Sequence, residues 1–217
     1  MKRIVTLIMV WGMMMGFAQA QITHTAQGNV DKNAENVIHA AAKKLNSSCV
    51  SMKVTLVNKD TQKKETARTT AQVLYNKGKY KVVCDDQVLY CDGKAVWHWN
   101  KEVNEVMVSV LQESDMDLMN PGALLKNYES NFKAKYIRTE ENGVSVVDLT
   151  PKKSKSYYKI RLMVDKNGGV KKMVQHNYDG SCGEYIVTEF KSGVKCADSD
   201  FMFDASGNKG VEIIDMR

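Results

Sequence analysis

The sequence predicts a mainly β fold with a few helices: a large antiparallel sheet, curled into a half-barrel or barrel, with helices covering its open face. Two observations carry this. Alternating apolar and polar residues recur in some ten or eleven short runs, and tight-turn signals of hairpin chemistry separate them, so consecutive strands must be antiparallel neighbours. A twisted sheet of that size curls rather than lying flat.

The first element is a helix over 31–46, where Ala34, Val37, Ile38, Ala41, Ala42 and Leu45 recur at helical spacing and Lys43 and Lys44 suit the negative end of the helix dipole. At Val50 the period changes to two, with Met52, Val54 and Leu56 on one face of a strand. Further strands are predicted at 67–75, 79–84, 87–91, 94–99, 104–111, 133–139, 144–150, 157–165, 170–178 and 183–191. Asp92-Gly93, Asn142-Gly143, Asn167-Gly168-Gly169, Asp179-Gly180 and Ser192-Gly193 supply turns between strands. The break comes at 114–131. There Asn120 suits an N-cap, Pro121 the first helical position, and Ala123, Leu124, Leu125 and Tyr128 an apolar face, so a short helix should lie over the open face of the sheet.

Residues 1–20 read as a cleaved export signal. Lys2 and Arg3 precede an apolar stretch of about 14 residues and Ala18-Gln19-Ala20 offers a cleavage site, which leaves 21–217 as a single domain outside the cytoplasm. No cysteine follows the signal to accept a lipid, the first being Cys49. A soluble, untethered product is therefore expected. The net charge of +6 falls to +4 without Lys2 and Arg3, and the lysines are scattered; with export, this argues against nucleic acid. An odd number of cysteines, Cys49, Cys84, Cys91, Cys182 and Cys196, leaves at least one thiol free; several read as small buried hydrophobes, and Cys84 with Cys91, on adjacent strands, is the most plausible pair if any forms.

Catalytic and metal patterns are missing. The histidines His24, His39, His98 and His176 are isolated, with no H-E-x-x-H, C-x-x-C or calcium-loop spacing, and Asp179-Gly180-Ser181-Cys182-Gly183 reads as a turn rather than a nucleophile loop. No enzyme, cofactor or metal is expected. What remains is apolar and rich in methionine, which suits a binder of apolar material.

The stretch Asp92-Gly93-Lys94-Ala95-Val96-Trp97-His98-Trp99-Asn100 resembles the D-G-K-x-x-W-x-Y-N pattern of the periplasmic outer-membrane lipoprotein carrier family, the LolA type. Similarity continues through Asn120-Pro121-Gly122-Ala123-Leu124-Leu125, Asp148-Leu149-Thr150-Pro151-Lys152, Ile160-Arg161-Leu162-Met163-Val164-Asp165, the strand near Tyr185 to Phe190 and the closing Val211 to Asp215. The resemblance implies an unclosed barrel whose helical lid covers an apolar cavity. It also implies a monomeric carrier that takes acylated lipoproteins from an inner-membrane ABC transporter and delivers them to an outer-membrane acceptor. Tyr80, Val82, Trp97, Trp99, Leu124 and Leu125 are the candidates for cavity or lid. Where the family often has Arg-Pro before an aromatic, this chain has Asn76-Lys77-Gly78-Lys79-Tyr80, which makes Lys77 the candidate lid latch, without the fixed fork of a guanidinium. Trp99 stands where tyrosine is common and Lys101 where proline is. The alternatives on the same fold are an envelope-stress sensor or a binder of another lipid.

Overall fold

A computed structural model describes residues 31–111 and 121–217. The leader expected at 1–20 and the cap expected at Asn120 lie outside them. Helix α1 (Lys32–Asn46) is followed by six strands, β1 (Val50–Lys59), β2 (Glu65–Asn76), β3 (Lys79–Cys84), β4 (Gln87–Cys91), β5 (Ala95–Asn100) and β6 (Glu105–Val110). Two short helices follow, α2 (Pro121–Lys126) and α3 (Tyr128–Asn131). The chain then runs through β7 (Phe132–Thr139), β8 (Ser145–Pro151), β9 (Tyr157–Val164), β10 (Val170–Asn177), β11 (Cys182–Ser192) and a 3-10 turn at Asp198–Phe201, ending in β12 (Glu212–Asp215).

All twelve strands form one sheet in the order β12-β6-β5-β4-β3-β2-β1-β11-β10-β9-β8-β7. Two antiparallel meanders, β1 to β6 and β7 to β11, are joined where β11 pairs with β1. The twelfth strand, which the sequence pattern does not mark, pairs with β6 in parallel, so the sheet is mixed rather than purely antiparallel. Its outer neighbour is missing, as is that of β7, so the sheet does not close.

Curling follows from the packing. Strands lie about 4.8 Å apart, so a flat sheet would set β5 roughly 43 Å from β7, whereas α1 is only about 22 Å long. Yet one apolar cluster contains Val96 of β5, Tyr80 of β3, Val50 and Met52 of β1, Ile160 and Leu162 of β9 and Phe132 of β7, together with Ala34, Ile38, Ala41 and Leu45 of α1. Only a sheet wrapped around α1 brings these together.

Asp31 fixes the start of that helix. Its Oδ1 accepts from the amides of Asn33 and Ala34 as an N-cap, and its Oδ2 accepts from the amide of Tyr136 on β7 at 2.8 Å. These amides, that of Tyr136 above all, hold its carboxyl below the usual range. Further along α1, the turn at Gly168 (φ +77°) approaches so closely that a Cβ there would lie 2.7 Å from the carbonyl oxygen of Ala40. The helix is thus seated at its head and its flank.

The structure corrects the expectation of a Cys84–Cys91 pair. The disulfide joins Cys49 and Cys196, and Cys84, Cys91 and Cys182 are free and buried. In the β3–β4 ladder Cys84 is opposite Gln87 and Cys91 opposite Tyr80, so the two cysteines lie at opposite ends of the hairpin. At about 3.3 Å per residue that separation exceeds what a disulfide spans.

Candidate functional site

The inner face of the curled sheet and the helices over it form the candidate site. Tyr80 and Val82 alternate on β3 and face Cys91 and Leu89 across the ladder. Leu124 and Leu125 of α2 are buried in the same cluster, at 4% and 1% exposure, so the structure brings these four candidates together beneath a helical cover. The interior between cover and sheet is packed with side chains. Tyr75, Ile38, Phe132, Leu149 and Ile160 are among the largest fully buried ones.

Trp97 and Trp99 do not join them. They alternate with Val96 and therefore face outward, where Trp97 lies opposite Tyr90 and Val108, and Trp99 opposite Val88 and Val106. A second apolar cluster forms there, closed by Phe203 and Val211 of the C-terminal segment. Phe203 stands edge-on to Trp99 at 5.4 Å and to Tyr90 at 6.2 Å. This places both tryptophans under the C-terminal segment, on the face away from α1 and α2.

Lys77 also stands apart. It occupies a left-handed conformation (φ +50°) beside Gly78 in the two-residue turn between β2 and β3, is exposed, and makes no ion pair among the described residues. Its visible role is in the turn.

The contact fastening the cover is made by a residue that sequence reasoning missed. Tyr75, 1% exposed, donates its hydroxyl to Asn46 Oδ1 at the end of α1 at 2.9 Å. Gly122 of α2 lies against the same hydroxyl, so closely that a Cβ on it would be 1.8 Å from Tyr75 Oη. Burial pushes the Tyr75 hydroxyl up to about 12. One phenol thus touches sheet, α1 and α2. The signal available was Tyr75 sharing a strand face with Val73, which does not distinguish a fastening from a core residue.

Charge is concentrated on the outer face. A cavity of about 320 Å³ is lined by Lys59, Lys63, Arg138, Arg161, Lys172 and His176 over a floor of Val146, Met163 and Val174. Two half-buried carboxylates balance part of it. Glu184 lies 2.8 Å from Lys59 and 2.9 Å from Lys172, and Asp148 takes both arms of Arg161 at 2.7 and 2.8 Å. Burial would raise the Asp148 carboxyl, but Arg161 and then Lys159 hold it below the usual range. Burial lowers the His176 imidazole, and Lys159, Arg161 and Lys63 lower it further.

A third group lies beside the cover. The sequence gives no metal spacing, but the fold sets Glu35 and His39 of α1 next to Glu129 of α3.

Comparison with known proteins agrees with this architecture. An outer-membrane lipoprotein carrier protein of Erwinia tasmaniensis is 27% identical over 135 residues, covering 61% of this chain and 63% of the relative. One from Aeromonas salmonicida is 25% identical over 133 residues with the same coverage. The chain therefore aligns with a little under two thirds of the length of these relatives. Among solved structures, an uncharacterized conserved protein from Thermus thermophilus superposes with a TM-score of 0.57 at 13% identity, over 84% of this chain and 99% of the other, which shows a shared fold. No described helix is long and apolar enough to cross a membrane. The family model for the outer membrane lipoprotein carrier protein LolA matches residues 83–204, a span that takes in β4 to β11 with α2 and α3 and ends at the Phe203 contact, and the chain belongs to that family.

Proposed function

We propose that the protein is a non-enzymatic carrier of acylated lipoproteins, exported by the leader at 1–20 and working in the periplasm as a single domain, 21–217. It would receive its cargo from an inner-membrane ABC transporter and pass it to an outer-membrane acceptor. The observation that carries this reading is the roof of the inner face. Leu124 and Leu125 close it from a six-residue helix that is held by α1 and by the Tyr75 ring rather than by a strand ladder. Displacing that roof would open the inner face, whose apolar residues include Tyr80, Val82 and Leu89. Each acyl methylene costs about 0.8 kcal/mol to expose to water, so a chain in transit is favoured wherever it can replace the roof against this face.

The test is capture of a triacylated lipopeptide by the purified protein, with the same peptide lacking acyl chains as control. Acyl-dependent capture is expected for the wild type. Changing Leu124 and Leu125 together to Asp should abolish capture while far-UV circular dichroism still reports the sheet. Normal capture by that folded variant would refute the roof assignment, and acyl-independent binding would refute the carrier reading.

A further inference from the structure

Glu35 and His39 stand one helical turn apart on the same face of α1. Glu129, at the second position of α3, reaches the same point from the other side. His39 Nε2 lies 3.7 Å from Glu129 Oε1, and one ligand atom from each of the three residues lies within 4.8 Å of the other two. A tetrahedral zinc ion holds nitrogen and oxygen ligands at about 2.0–2.1 Å, which sets the donor atoms roughly 3.3 Å from one another. Small rotations of partly exposed side chains would close the group to that spacing.

Behind these three lies Tyr128, which is 4% exposed and set edge-on to the His39 ring at 6.0 Å. Its buried hydroxyl makes no hydrogen bond of normal geometry among the described residues. A buried donor without an acceptor costs stability, and two carboxylates facing one imidazole repel each other. A cation bound by the carboxylates relieves the repulsion, and a carboxylate oxygen drawn into place beside Tyr128 gives its hydroxyl an acceptor.

We propose that Glu35, His39 and Glu129 bind one divalent cation between α1 and α3, and that zinc suits this one-nitrogen, two-carboxylate set. Water completes the coordination. Because α3 directly follows α2, the ion fastens the segment bearing Leu124 and Leu125 to α1.

The experiment uses untagged protein, stripped with a chelator and titrated with zinc chloride by isothermal calorimetry. One zinc per chain is expected, with X-ray absorption reporting nitrogen and oxygen ligands and no sulfur. His39→Ala and Glu129→Gln each remove an exposed group, leave the circular dichroism spectrum unchanged and weaken zinc binding by at least about tenfold. Absence of one-to-one binding, binding that survives His39→Ala, or sulfur ligation from the free cysteines overturns the proposal.

Discussion

Tyr75 makes the sharpest prediction at the scale of single residues, because two helices depend on one ring. Gly122→Ala would set a methyl 1.8 Å from the phenol oxygen and 2.4 Å from Cζ, so α2 must shift. The expected cost is about 1–3 kcal/mol in urea unfolding, the usual range for overpacking. Tyr75→Phe should cost only about 1 kcal/mol, the Asn46 bond, and should not rescue Gly122→Ala, since Cζ remains in the way. A full rescue would mean that α2 is not seated on this ring. Asp148 and Arg161 come from two separate segments of the family resemblance, and the structure joins them across the β8–β9 ladder. Arg161→Leu leaves a half-buried carboxylate with only Lys159 near it and should cost about 2 kcal/mol at pH 7. The sign with pH follows from the depressed folded pKa of Asp148. Its contribution is present above the unfolded value and is lost as pH falls through the folded one, so the gap between wild type and Arg161→Leu should narrow below about pH 4. A gap that stays constant from pH 7 to pH 3 would refute the role of the pair.

Among the elements, the C-terminal segment explains why Trp97 and Trp99 lie on the face away from Tyr80 and Val82. Alternation shows that Trp97 and Trp99 share a face, but a period of two does not say which face is inner. Here the Trp97 and Trp99 face lies beneath Phe203, while the face toward α1 and α2 carries Val96 beside the polar His98 and Asn100, so the usual inside-outside contrast is reversed on this strand. The eleven strands with at least one buried face were legible, whereas β12 was not, because all four of its residues are exposed and carry no alternation. Glu35 and His39 are visible as a helical pair in the sequence, yet their third partner enters from α3 and no spacing rule reaches that far. A test of the tryptophan placement is Phe203→Ala. It should cost about 3 kcal/mol, allowing for the partial exposure of Phe203, and should shift tryptophan emission to the red. Trp97 and Trp99 are the tryptophans of the chain beyond residue 20, so the signal is unambiguous in the mature protein. Capture of acylated peptide should persist in that variant. Loss of capture in a folded Phe203→Ala protein would put the tryptophans back into the binding face.

For the molecule as a whole, the Cys49–Cys196 bridge connects the start of β1 to the loop after β11, across 147 positions. Those strands already pair along their length, and Val194 donates its amide to the carbonyl of Cys49. In the folded state the bridge therefore adds little new geometry. Its weight falls on the unfolded chain, where it closes a loop that contains nearly every strand. A loop of that size predicts about 5 kcal/mol of stabilisation in the chain-entropy account. The double change Cys49→Ser and Cys196→Ser should thus lower the urea midpoint without altering the circular dichroism spectrum, and a reductant should lower the wild type to the same midpoint while leaving the variant unmoved. Thiol titration of the unreduced protein in denaturant should find Cys84, Cys91 and Cys182 and no others. If the bridge acted only by pinning the segment that carries Phe203, reduction would change tryptophan emission well before the sheet unfolds. Coincident loss of emission and of sheet signal, at the lowered midpoint, is the outcome expected when the constraint acts on the whole chain.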